Sequence, residues 1–131
     1  MTSADELLRR AHERDIRLDD DLFRLAYEFT RDAHGDQKRL SGEPYFTHPV
    51  ATAGILIDLG LDQSTVLAGL LHDVPEDTKI SLKEVAKNFG DDVAQLVDGV
   101  TKLSAVKYRG VERYQESLRR MFLAMAKDIR V

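Results

Sequence analysis

The sequence contains no cysteine. Disulfides and thiolate metal sites are therefore excluded, and a reducing compartment is the natural setting. No apolar run approaches the length of a membrane span, and no secretory h-region follows the charged start MTSADELLRRAHERD. A cytoplasmic protein with no membrane partner is the expectation. Net positive charge is also missing: 19 basic residues against 23 acidic ones leave −4. That balance argues against a general nucleic-acid surface, which would show a basic stripe. It leaves room for a small anionic ligand, because a bound cation overrides net charge locally. Strand-like alternation of useful length, internal repeats and low-complexity tracts are absent as well.

What remains is helical periodicity over a chain of 131 residues, 43% of them hydrophobic, which suits one domain with one core. Ser3 and Glu6 fit a capping box that opens a short helix over ADELLRRAHER. A second helix is expected over about 20–33, with Leu22, Phe23, Ala26, Phe29 and Ala33 on its buried face and a stop at Gly35. HGDQKRLSGEPYF, residues 34–46, is the clearest loop, and loops carry function more often than core elements do. Thr47 is placed to cap a third helix with Pro49 in its first turn, a stripe of Val50, Ala53, Gly54 and Ile57, and an end at Gly60. Asp62 or Ser64 opens a fourth, whose stripe is Val66, Leu67, Leu70 and Leu71. Pro75 should end or kink it near Val74. Ser81 with Glu84 starts a short helix that stops near Gly90, DDVAQLVDGVTKLSAV forms another, and KYRG turns into a last amphipathic helix from about Glu112. The expected fold is all-α, with about seven helices.

The fourth helix runs into LHDVPEDT, residues 71–78. His72 and Asp73 point about 100° apart on a helix, so an ion lying between the two directions can take both. His48 stands at the start of the third helix and His72 near the end of the fourth; in an antiparallel pair those two ends meet. Imidazoles and a carboxylate without thiolates suit manganese, iron, zinc or nickel better than calcium. Glu76 and Asp77 follow the metal pair by one turn, the right distance to orient water or exchange protons. Each residue alone has a plainer reading: a His-Asp dipeptide at a helix end, solvated loop charges, a satisfied histidine. Their convergence on adjacent helix ends is what points to an ion. His12 and His34 have no such company and are expected at the surface.

The run RLSGEPYFTHPVATAGILIDLG, then LLHDVPEDT, then FGDDVAQLVDGVTKL, resembles the N-terminal hydrolase domain of the RelA/SpoT homologues, enzymes that control the alarmone (p)ppGpp in the stringent response. The resemblance covers the chain from about residue 5 onward. It implies a helical HD-superfamily domain with a manganese ion, hydrolysing the 3′-pyrophosphate of (p)ppGpp to give GDP or GTP and pyrophosphate. By position, His48, His72 and Asp73 match three metal ligands of the family. Glu76 and Asp77 match its water-activating acids. Arg39 matches a loop arginine that packs on the guanine base, and Ser41 lies in the same loop. An arginine plane stacks well on a purine.

Two positions depart from the family pattern: Pro75 within the acidic motif, and Leu40 where a basic residue is frequent. The chain stops at AMAKDIRV, where the family continues into a helix bearing a further aspartate ligand and an asparagine near the nucleoside. That helix, the synthetase domain and the regulatory domains are expected to be missing, and Asp128 is not a substitute ligand. The face of Phe122, Met125 and Ile129 would then be uncovered and favour self-association. Two other functions stay open at this point. One is an HD phosphohydrolase acting on another nucleotide. The other is a non-catalytic nucleotide-binding or regulatory fragment of a RelA/SpoT-like GTP pyrophosphokinase.

Overall fold

The computed structural model describes residues 3–38, 42 and 44–107, with side chains to residue 101. Seven helices follow one another among these residues: α1 (Ala4–Glu13), α2 (Asp20–His34), α3 (Thr47–Asp58), α4 (Gln63–Leu71), α5 (Val74–Asp77), α6 (Leu82–Phe89) and α7 (Asp91–Lys107). The only strand-like feature described is an isolated antiparallel bridge between Lys38 and Pro44. The helix expected from Glu112, the Phe122, Met125 and Ile129 face, and the loop residues Arg39, Leu40 and Ser41 lie outside the described residues.

α4 is at the centre of the described helices. From Thr65 to Leu71 every residue is buried, the condition of a helix surrounded by other helices rather than laid on a surface. It packs against α2, α3 and α7, while α1 covers α2 and α3 and α6 lies on α7. Gly69 permits a close approach of α3 to α4. A Cβ there would stand 2.5 Å from Leu56 Cδ1 of α3. α1 is amphipathic by contrast: it buries Leu7, Leu8 and Ala11. Its Arg10 donates to the Gly54 carbonyl at 3.1 Å and to Asp58 Oδ2 at 2.5 Å, tying α1 to the C-terminal half of α3.

Helix starts follow local hydrogen bonding. Ser3 and Ser81 accept the backbone N–H of Glu6 and Glu84, each at 3.2 Å, so both expected caps form. Asp19 caps α2 in the same way, accepting from Leu22 N–H. Thr47 does not cap α3. It is the first helical residue, and its hydroxyl turns back to the Pro44 carbonyl at 2.8 Å.

Two other expectations change. The fourth helix is expected to end or kink near Val74 because of Pro75, and the break falls two residues earlier. α4 ends at Leu71, His72 and Asp73 form a two-residue join with near-helical backbone angles, and Pro75 sits in the first turn of a new short helix. Proline is at home there because the first turn has no intrahelical acceptor for its missing N–H. In α2 the buried stripe is Phe23, Ala26, Thr30 and His34, rather than one passing through Leu22, Phe29 and Ala33, which are only partly buried. His34 is therefore an interior residue, 2% exposed, and not a surface one. It continues a three-four-four spacing whose polar members hid it. Thr30 is reconciled with burial by donating to the Ala26 carbonyl at 2.8 Å. His12 is exposed as expected, 2.8 Å from Asp20.

Candidate metal centre

The antiparallel packing of α3 on α4 brings the start of one helix to the end of the other. His48, in the first turn of α3, meets His72, just past α4, with their Nε2 atoms 3.2 Å apart. Asp73 Oδ2 lies 3.1 Å from His72 Nε2 and 3.5 Å from His48 Nε2. All three residues are buried, and one donor atom from each falls within 4.8 Å of the others.

The tautomer of His72 is set by its surroundings. Its Nδ1 is 2.6 Å from the Gly69 carbonyl, which can only accept, so Nδ1 carries a proton. In the neutral ring Nε2 then presents a lone pair toward a carboxylate oxygen and toward a second imidazole nitrogen. Three such donor atoms converging in a buried space repel one another unless a proton, as on His48 Nε2, or a metal ion lies among them. A backbone carbonyl behind the far ring nitrogen is the usual support of a metal-bound histidine. The residues present thus fit a divalent ion, with His48, His72 and Asp73 able to hold it. Without an ion, protonation does the same work. Burial alone lowers the pKa of His72, but the charge and hydrogen bond of Asp73 outweigh it and raise it. Burial alone would raise that of Asp73; the facing His72 and His48 and a hydrogen bond from Tyr45 outweigh it and hold the carboxyl well below its usual range.

Tyr45 is the contributor that sequence reasoning missed. It lies in the quoted SGEPY stretch, but nothing in that stretch marks it as different from a core aromatic. Its hydroxyl is 2.7 Å from Asp77 Oδ2 and 3.0 Å from Asp73 Oδ2, so one proton is shared between two carboxylates. Burial, then the charges of Asp73 and Asp77, push its pKa far above the ordinary phenol value, and it remains a neutral donor. Behind it, the His34 ring stacks on the Tyr45 ring with centroids 4.8 Å apart.

α5 carries the acidic pair. Asp77 and Glu76 are both exposed. Asp77 is held through Tyr45, whereas Glu76 has its pKa raised, first by burial and then by the neighbouring charges of Asp77 and Asp73, against the opposing charge of His72. A carboxyl raised in this way is a better proton acceptor near neutral pH than an ordinary one. Of the residues singled out in the sequence, the structure gathers His48, His72 and Asp73 into one cluster and links Asp77 to it through Tyr45. Arg39 and Ser41 fall outside the described residues.

A family model described as HD domain matches residues 26–131. Over 107 residues the chain is 55% identical to the probable guanosine-3′,5′-bis(diphosphate) 3′-pyrophosphohydrolase of Synechocystis, covering 81% of this chain and 14% of that protein. It is 51% identical over 109 residues to the bifunctional (p)ppGpp synthase/hydrolase SpoT of Escherichia coli, covering 82% of this chain and 16% of the relative. The GTP pyrophosphokinase of Streptomyces coelicolor is 52% identical over 106 residues, which are 81% of this chain and 12% of its own length. The chain thus corresponds to a small part of each of these longer curated proteins.

Proposed function

The chain belongs to the HD-domain family, of the RelA/SpoT-like kind, and we propose that it is a metal-dependent 3′-pyrophosphohydrolase domain acting on (p)ppGpp. The observation that carries this reading is the buried His48, His72 and Asp73 cluster, joined through one tyrosine hydroxyl to an acidic residue on the next turn. A purely structural cluster would gain nothing from a further carboxylate tied to it through Tyr45.

In this reading His48, His72 and Asp73 would hold a divalent ion, manganese by the family resemblance, which when bound would supply a more acidic water and screen phosphate charge. The chain's own residues do the rest. His72 is fixed in orientation by the Gly69 carbonyl and cannot rotate away from the site. Asp73 stays ionised because two imidazoles and a phenol face it. Glu76, with its raised pKa, exchanges the proton of the attacking water or of the leaving oxygen. Asp77 orients that water, its carboxylate kept in place by Tyr45. Arg39 and Ser41 contact the guanine base from the 38–44 loop. The products are GDP or GTP and pyrophosphate, formed in the cytoplasm. Self-association through Phe122, Met125 and Ile129 is proposed as well.

The test is release of pyrophosphate from (p)ppGpp by this chain in manganese, with a chelator control. Release that chelator abolishes is the expected result. A chain that hydrolyses dGTP in preference to (p)ppGpp would reassign the substrate, and a chain that binds (p)ppGpp without cleaving it in saturating manganese would remove the catalytic reading.

A further inference from the structure

One glutamine joins three segments of the molecule. The Gln37 carbonyl accepts the Tyr45 N–H at 2.8 Å and so closes the base of the loop whose ends, Lys38 and Pro44, form the isolated bridge. Its side chain reaches the other way. Nε2 donates to the Asp77 carbonyl at 2.7 Å, and Oε1 lies 3.2 Å from His34 Nδ1. The orientation of the amide is forced, because a carbonyl can only accept. Nε2 must face Asp77, Oε1 must accept, and His34 Nδ1 must donate.

The other residue at the loop base reaches the same aspartate. Tyr45 donates to the Asp77 carboxylate at 2.7 Å while its ring rests on buried His34. Beyond its own N–H bond to the Asp73 carbonyl at 2.9 Å, Asp77 is therefore held twice from outside α5, by its backbone through Gln37 and by its side chain through Tyr45. It needs that support. α5 has four residues, too few to be stable by helical hydrogen bonding, and Asp77 is its exposed last residue.

We propose that Gln37 and Tyr45 are positioning residues: joined to each other through the backbone, together they clasp Asp77 and set the placement of this acid. The proposal rests on the reading of Asp77 as one of the catalytic acids. Its geometric half stands alone: the Gln37 amide and the Tyr45 hydroxyl each bond Asp77, at its carbonyl and at its carboxylate.

Gln37→Met keeps length and loses the amide; Tyr45→Phe keeps the ring stack and loses the hydroxyl. Hydrogen exchange read by mass spectrometry on residues 74–80 should become about tenfold faster or more in each variant, with α3 unchanged, since α5 opens locally and not with the core. In turnover of (p)ppGpp, each variant should lose roughly 10–100-fold in kcat, the usual cost of removing a supporting hydrogen bond. KM should move by less than about threefold, because no contact with bound substrate is removed. Manganese affinity, measured by calorimetry, should be unchanged in Gln37→Met, which touches no member of the cluster, and should change in Tyr45→Phe, which touches Asp73.

Exchange at wild-type rates in both variants overturns the clasp, whatever the activity. Faster exchange with wild-type kcat overturns the positioning role and leaves a structural tie. Faster exchange in a protein whose wild type releases no pyrophosphate supports the clasp and removes the hydrolase reading instead.

Discussion

Asp73→Asn should abolish the stabilisation of the protein by manganese while leaving a cooperatively folded chain. The replacement keeps the shape of the side chain but removes the one negative charge among three donor atoms, at an oxygen 3.1 Å and 3.5 Å from two imidazole nitrogens. An ion that binds only the folded state at a free concentration of about 100 times its Kd adds about 2.7 kcal/mol of stability. Unfolding entropy of about 2.1 cal/mol/K per residue, over the 131 residues of the chain, gives about 0.28 kcal/mol/K. The wild-type Tm should then rise by about 10 °C. Removing one partner from a buried charge cluster costs about 4 kcal/mol, roughly a thousandfold in affinity. At the same metal concentration the variant should shift by less than about 1 °C. The assay is calorimetric melting of chelator-stripped protein at pH 7.5, with and without manganese. An equal rise in Asp73→Asn and wild type would place the ion elsewhere, and no rise in the wild type at millimolar metal would refute the site itself.

Glu76→Gln should keep the full metal-induced rise in Tm and lose about 10²–10⁴-fold in kcat, as expected for a group that moves a proton and holds no ion; equal loss of metal binding in Glu76→Gln and His72→Ala would defeat that division of roles. Metal dependence should also carry a pH signature. The folded-state pKa of His72 is raised, so its ion pair with Asp73 stabilises the metal-free protein fully below the unfolded value of about 6.5 and less as pH rises through the folded value. A metal ion needs the unprotonated ring, so its affinity runs the other way. The manganese-induced rise in Tm should grow between pH 6 and pH 8 (roughly the range in which histidine titrates), and a rise that shrinks over that interval would contradict the assignment of His72 as ligand. Gly69→Ala should gain about 1 kcal/mol of helix propensity and lose about 1–3 kcal/mol by overpacking against Leu56, whose Cδ1 would be 2.5 Å from the new Cβ. The net effect should be a lower Tm in the wild type and a higher one in a Leu56→Ala background; a higher Tm in both would show that α3 and α4 are less tightly packed than described.

The fold was legible where local chemistry and burial agree. The caps at Ser3 and Ser81 are written in the residue three positions later, and the apolar run of α4 marks a helix enclosed on all sides. The meeting of His48 and His72 followed from a rule of chain connection: consecutive helices with a short loop run antiparallel, so the start of one lies beside the end of the other. Helix ends were less legible. Pro75 can break a helix or begin one with the same missing N–H, and only the return of the chain after Asp73 decides between them.

The residues that were not legible share a physical cause. His34 and Thr30 lie on the buried face of α2, but a pattern search that scores hydrophobicity rejects polar side chains and rotates the stripe onto Leu22, Phe29 and Ala33. A buried histidine is tolerated only when something accepts its proton, here Gln37, and that partner lies beyond the helix in a loop. Tyr45 was invisible for the complementary reason. Its ring reads as core, and its function resides in one hydroxyl proton placed between Asp73 and Asp77, residues 28 and 32 positions away in sequence. The candidate ion ligands could be found because metal chemistry restricts such groups to a few residue types. The groups that hold those ligands and their neighbouring acids in place need only a hydrogen-bond donor at the right point, which many residues supply. That is why the centre of the site is visible in the sequence and its supports appear only once the helices are packed.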